Sequence, residues 1–336
     1  MFSDLVIGYL FLGGTGAGAL VVLCFFEFLN IKRRFAGMLK KTRLGRTFSG
    51  KIMPSHSPNA TTHSTSHNAF SLPSEFFVRA WIVCLVILVS ACVCLSLDLG
   101  HFDRIFNLLF TPHLSVMTIG AYALAASVVI ASIFTVVTIF DNVFPGRIFI
   151  YILLVAGAIS GITCAIYTGV LLSSLASVLF WKTPLLPILF TSSSLSCGIA
   201  CMFFVGAFTE ARQPVITPLE NLARIDRLII LIELVAITFY LLWAWFNAGT
   251  NASASGLIKG ELSWIFWVCI VAIGLVLPFV MEKFITYGNY RSQLIWIATA
   301  ILFGGLILRF CFVEAGMYDV TQTSGLASGL VGGLMS

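Results

Sequence analysis

Charge is scarce in this chain. Lys, Arg, Asp and Glu make up 10% of its 336 residues, against about a quarter in an ordinary soluble domain, which excludes a soluble globular protein. Histidine is scarcer still. Of five, His56, His63 and His67 fall in one polar stretch, and only His101 and His113 lie near apolar segments. A membrane subunit with two b-type haems needs four His inside its helices, so bis-histidine haem is excluded. Any redox role must use a diffusible carrier or a cofactor on a partner. Alternation of apolar and polar residues over roughly ten positions, the mark of an outer-membrane strand, is also missing. The nine Cys sit almost wholly in apolar runs and read as small buried hydrophobes. Cys92 and Cys94, and Cys197 and Cys201, bring no further Cys or His, so no metal site is expected.

What is present is apolar. Residues of the AVILMFWYC set reach 59%, with 30 Phe and a mean hydropathy of +1.02. Continuous apolar runs long enough to cross about 30 Å of hydrocarbon occur at residues 5–29, 79–98, 114–140, 148–173, 185–208, 228–247, 262–281 and 294–313. The expected fold is therefore an all-α polytopic membrane protein, a bundle of eight transmembrane helices embedded in a lipid bilayer, with no nucleic-acid partner. Its organisation reads as a first span in 1–29, a largely disordered cytoplasmic loop in 30–78, spans two to eight in 79–313, and an extracytoplasmic tail in 314–336. The loop is basic at its start and then rich in Ser, Thr, His, Asn and Pro.

Orientation follows from Lys and Arg. Fifteen flank the loops after the odd-numbered spans, and only Arg104, Lys182, Lys259 and Arg309 lie on the other side. Both termini are expected to be extracytoplasmic. Ala17-Gly18-Ala19 imitates a signal cleavage site, but the basic cluster follows the apolar run instead of preceding it, so the first span reads as retained. Within it, Gly14-Thr15-Gly16-Ala17-Gly18-Ala19 matches a dinucleotide fingerprint only superficially, because that motif works after a strand. Gly14 and Gly18 read better as a close helix-packing pair.

Ionisable groups at membrane depth are costly and mark candidate sites. On the outer side they gather as Asp98, His101, Asp103 and Arg104 after the second span, His113 before the third, Tyr167 at the end of the fourth, Lys182 before the fifth, and Arg309 with Glu314 in the last. Singly, each has a structural alternative: Asp98 as a helix cap, Arg309 as a snorkelling cation, Tyr167 as part of an interfacial belt. On the inner side Glu233 lies two turns into the sixth span, either as an ion-pair partner or on a proton path.

These segments resemble the NrfD/PsrC-like family of membrane anchors of complex iron–sulfur molybdoenzymes. The resemblance rests on Tyr9-Leu-Phe-Leu-Gly-Gly-Thr-Gly-Ala-Gly-Ala19, Asp98-Leu-Gly-His-Phe-Asp-Arg104, Tyr167-Thr-Gly-Val-Leu-Leu-Ser-Ser174 continuing to Trp181-Lys-Thr-Pro184, and Arg309 followed by Glu314-Ala-Gly316. It implies a haem-free anchor in a bacterial or archaeal cytoplasmic membrane, oxidising menaquinol or ubiquinol, with menaquinone preferred. Electrons would pass to a four-cluster ferredoxin-like iron–sulfur subunit and a molybdopterin catalytic subunit on the extracytoplasmic side. By resemblance, Tyr167 is the quinone-site tyrosine, with Arg104, His113, Thr15 and Arg309 around the ring. On chemical grounds Asp98 or His101 can take a proton, with Arg104 or Arg309 holding Asp98 ionised. The chain departs from the family where His101 and Phe102 replace Arg and Pro, and where Thr15 stands in place of a His or Asn. The same fold running backwards as a quinone reductase, a transporter and a structural anchor are the competing readings. A reporter fused after Ser336 should be active if it works only outside the cytoplasm and silent if it works only inside, and the reverse pattern would overturn the orientation.

Overall fold

The computed structural model describes residues 4–47, 72–98, 116–140, 146–175, 178–209, 216–247, 249–260, 262–285 and 290–334, giving backbone alone for 4, 30–47, 74, 147, 216–217, 252 and 317–334. Among the described residues all regular structure is helical: α1 (Asp4–Thr47), α2 (Ser74–Asp98), α3 (Val116–Ile139), α4 (Arg147–Ser173), a 3₁₀ turn (Leu179–Trp181), α5 (Leu185–Phe208), α6 (Ile216–Phe246), α7 (Asn251–Lys259), α8, and α9 (Tyr290–Leu334). α8 is a π-helical rod, Ile265–Val276, continued as α-helix over Leu277–Lys283. Eight of these helices are long and apolar enough to cross a membrane, from Leu5–Leu29 to Tyr290–Gly316. The chain is a multi-pass membrane protein.

The spans keep close to the boundaries expected from hydropathy except the sixth, which begins at Pro218 where the apolar run was expected to start at 228, and the other differences lie outside the apolar runs. α1 stays helical to Thr47 and α2 begins at Ser74, so both ends of the 30–78 segment carry helical backbone. The tail also continues α9 to Leu334. The short α7 lies between the sixth and seventh spans, and its Lys259 ammonium stands 5.7 Å from the Trp245 ring. Nothing in hydropathy signals such a helix, because nine residues cannot span the bilayer.

α1 and α5 form the axis of the bundle. They pack on one another, α1 also contacts α2 and α4, and α5 also contacts α4, α6 and α9. With no water to expel between helices, contact depends on small residues that let backbones approach. A Cβ on Gly18 would overlap the carbonyl oxygen of Ser194, and one on Gly198 would overlap the carbonyl carbon of Gly18. The packing pair expected from Gly14 and Gly18 thus faces α5. A second close approach joins α8 to α9, where a Cβ on Gly274 would lie 2.7 Å from Cα of Gly304. It falls within the π-helical segment and just before Pro278, which has no N–H to give to the preceding turn.

Hydroxyl groups along the spans are satisfied locally. Ser127, Thr135, Thr163, Ser194 and Thr299 each donate to the carbonyl four residues earlier, which removes an exposed donor from hydrocarbon without any partner helix. The outward faces carry the apolar surface that lipid requires, as at Ile148, Ile152 and Phe246.

Gly18→Val should push α1 from α5 and lower the detergent-solubilised protein's thermal midpoint by the equivalent of about 1–3 kcal/mol, an overpacking cost. Gly256→Ala, where an added Cβ meets nothing within 4 Å, should leave the midpoint unchanged. Equal midpoints for the two variants would show that the α1–α5 contact does not hold the bundle.

Candidate functional site

Arg309 is the most costly residue in the bundle interior, and it is fully buried. Its position on α9 follows from the small residues around it. A Cβ on Gly14 would lie 2.8 Å from Nη2, so α1 makes room for the guanidinium by lacking a side chain there. Nε donates to the carbonyl of Leu10 at 3.2 Å, and Nη1 donates to the carbonyl of Gly305 at 2.8 Å and to Ser193 Oγ at 3.3 Å. Nη2 donates to Ser194 Oγ at 2.9 Å. The guanidinium carbon also sits 5.7 Å from the Phe11 ring and 5.5 Å from the Phe190 ring, at cation–π distance. One cation thereby ties α1, α5 and α9 together. The buried Glu233 of α6 lies near enough to act on it electrostatically. The Ser193 hydroxyl lies between the two, since it also lines one small cavity with Glu233. Thr15 lies in the same region, its buried hydroxyl beside the Cys197 thiol and otherwise without a partner among the described residues.

A second polar pair lies toward the end of the bundle where α1 begins and α4 ends. Tyr167 is buried, and its ring fills the place where a side chain on Gly120 of α3 would stand. Its hydroxyl lies close to that of Tyr9 on α1. The two tyrosines are about one and about one and two-thirds turns from the ends of their spans, about 6–9 Å along the helix axis. On the outer side of α4, Ile166 joins Pro187, Ile188 and Leu195 of α5 and Ile229 and Ile232 of α6 in lining an apolar groove of about 380 Å³. Beyond it the 3₁₀ turn caps the bundle: Trp181 Nε1 donates to the carbonyl of Phe312 at 2.9 Å, and the Tyr240 hydroxyl donates to that of Phe180.

This bundle can be set beside known proteins. A family model described as polysulphide reductase, NrfD, matches residues 60–321. The chain belongs to the NrfD family. Protein NrfD of Escherichia coli is 29% identical over 156 residues, 46% of this chain and 49% of that protein. The C subunit of polysulfide reductase from Wolinella succinogenes is 29% identical over 154 residues, 45% of this chain and 49% of that protein. The chain spans about half the length of the curated relatives it matches.

Within this NrfD-family bundle the residues singled out by sequence separate into groups. Thr15, Glu233 and Arg309 come together around Ser193 and Cys197. Tyr167 sits apart from them with Tyr9, and Asp98 is exposed as the last residue of α2. Arg309 therefore neither snorkels outward nor faces Asp98; its hydrogen-bond partners are all internal. His101, Arg104 and His113 lie outside the described residues. Among those residues no cluster of three or more His, Cys, Asp or Glu has the arrangement of a metal site.

Sequence reasoning passed over three buried groups. Tyr9 was legible only as part of a motif. Asp226 and Glu282 look like loop charges beside Arg227 and Lys283, yet both are buried, on α6 and α8. Helical phase was the available signal: Asp226 lies on the face of Leu222, Ile230, Glu233 and Ile237, all of them buried.

Removing the Arg309 guanidinium should leave the Leu10 and Gly305 carbonyls and the Ser193 and Ser194 hydroxyls without their buried donor, and Glu233 without its nearby cation. Arg309→Met should cost about 3–5 kcal/mol of stability, and Arg309→Lys should recover only part, because an ammonium cannot match the planar fork. Adding Glu233→Gln to Arg309→Met should restore a measurable fraction in thermal unfolding. Additive losses in the double variant would mean that the two charges do not interact.

Proposed function

We propose that this chain is the quinol-oxidising membrane subunit of an extracytoplasmic oxidoreductase, passing electrons from menaquinol or ubiquinol to an iron–sulfur partner subunit that serves a molybdopterin catalytic subunit. The observation that carries the reading is the buried Tyr9–Tyr167 hydroxyl pair. It stands near one membrane face of an NrfD-family bundle, and an apolar groove opens laterally on another face of α4 at Ile166, the residue next to Tyr167 in the chain. The kinship with the polysulfide reductase C subunit supports a membrane subunit that works with other oxidoreductase subunits. The excess of basic residues at the opposite loops supports an extracytoplasmic location for this face.

Quinol oxidation releases two electrons and two protons. A site for it needs an apolar slot for ring and tail, a hydrogen-bond partner at the ring oxygens, and acceptors with an exit to water. The groove supplies apolar surface, and the tyrosine hydroxyls can each turn from one another to a ring oxygen. Asp98 is exposed at the end of α2, and in this reading it takes a proton and releases it to solvent. His101, three residues on, has an ordinary pKa near neutrality, which suits the second acceptor. Arg104 and His113 belong to the same outer segment and complete the polar rim in this reading, and Thr15 and Arg309 lie deeper. The electrons leave for the partner's iron–sulfur centre, so this chain needs no redox group of its own.

The test is quinol-dependent reduction of the iron–sulfur subunit in membranes, with complex content measured separately. Tyr167→Phe should weaken quinol binding by about 1–2 kcal/mol, the value of one hydrogen bond, and so raise KM roughly 5- to 30-fold. Asp98→Asn should lower kcat with little change in KM. Wild-type rates in both Asp98→Asn and His101→Ala would remove the proton-accepting role and leave those residues structural.

A further inference from the structure

One buried feature plays no part in quinol chemistry near the tyrosine pair. Asp226 on α6 and Glu282 on α8 stand at the other end of the bundle, close to Arg224, Arg227 and Lys283. Their carboxyl groups are 0% and 4% exposed and lie within hydrogen-bonding reach of one another. None of their four oxygens meets a hydrogen-bond donor among the described residues. The charged group that acts on Glu282 from outside the pair is Arg227, whose own Nε is also without a partner among those residues.

Charge and geometry together constrain this arrangement. Two carboxylates in contact cannot both stay ionised away from water, and no protein donor among the described residues offsets their burial. One proton between them makes a charge-assisted O–H···O bond. It also leaves a single negative charge, which Arg227 balances.

Polar groups continue from the pair toward the bundle centre. The Ser196 hydroxyl of α5 approaches Asp226. Ser196, Ser193, Cys197 and Glu233 line an internal cavity with about 10 Å³ of water-accessible space, about the room that one water molecule needs. Gly274 of the π-helical segment and Gly304 of α9 form its far wall, so the irregular register and the glycine contact are what open it. Glu233 lies near Ser193, whose oxygen accepts from Arg309. There the series meets a fixed positive charge, which repels an arriving proton.

We propose that Asp226 and Glu282 form a proton-binding site that holds one shared proton, loaded from the basic end of the bundle and exchanged with Glu233 through Ser196 and the cavity. Arg309 closes the route toward the tyrosine pair. Only proton transfer is involved: an O–H bond at one carboxyl breaks as another forms on the next group. The site is independent of the reaction assigned to the outer face.

Infrared difference spectroscopy on the full-length protein in membranes tests this without turnover. At neutral pH the wild type should show a carboxylic C=O band that shifts in D₂O. Asp226→Asn and Glu282→Gln should each abolish the shared-proton band while the protein still accumulates, because an amide reproduces the donor of a protonated carboxyl and preserves the single negative charge. Glu282→Asp should restore the band. In Asp226→Asn, deuterium exchange at Glu233 should slow on the order of a hundredfold, the scale of losing a positioned proton-transfer group. A band that survives both amide variants, or loss of folded protein in both, would overturn the shared proton. Unchanged exchange at Glu233 would overturn the route.

Discussion

A guanidinium that never reaches water sets the terms for the rest of this bundle. Arg309 must find every hydrogen-bond acceptor inside the protein, and it does so only where α1, α5 and α9 converge: two carbonyl oxygens, two serine hydroxyls and two aromatic faces. That demand fixes the depth and rotation of three helices at once, because a shift of one turn would strand a charged donor in hydrocarbon. It also accounts for the glycine at residue 14, where any side chain would occupy the cation's place. The consecutive serines at 193 and 194 follow from the same requirement.

Helix approach and polar chemistry are coupled throughout. α1 and α5 touch through Gly18 and Gly198, α8 and α9 through Gly274 and Gly304. Both contacts border the polar interior. The first brings Ser193, Ser194 and Thr15 within range of the arginine, and the second helps to form the small cavity beside Glu233. A bundle with larger residues at these points would bury the same ionisable groups without connecting them.

The polar groups fall into two zones separated by the arginine. Toward one membrane face stand Tyr9 and Tyr167 with an apolar groove nearby, a setting suited to a lipid-soluble carrier with two ring oxygens. Toward the other stand Glu233, Asp226 and Glu282, which can hold and hand on protons. In this reading the positive charge between them separates an electron-transfer site from proton chemistry on the opposite side.

Local composition was enough to establish the class, the eight spans and the scarcity of haem ligands. About twenty successive apolar residues have no stable soluble alternative, and His101 and His113 are too few whatever the fold. Motif resemblance likewise points to the family, because short segments such as Asp98–Arg104 keep their identity whatever their contacts. Which ionisable residues meet was settled by the packing of the helices. Arg309 looked like an outer-face neighbour of Asp98 but turns inward, Tyr9 became the partner of Tyr167, and Asp226 and Glu282 proved to be buried together. Those outcomes depend on helix rotation and on contacts between residues 56 to 299 positions apart in the chain. Hydropathy averages over a helix and carries no record of which face meets which neighbour. The π-helical register of α8 belongs with them, since it arises where Pro278 and the contact between Gly274 and Gly304 must be satisfied together.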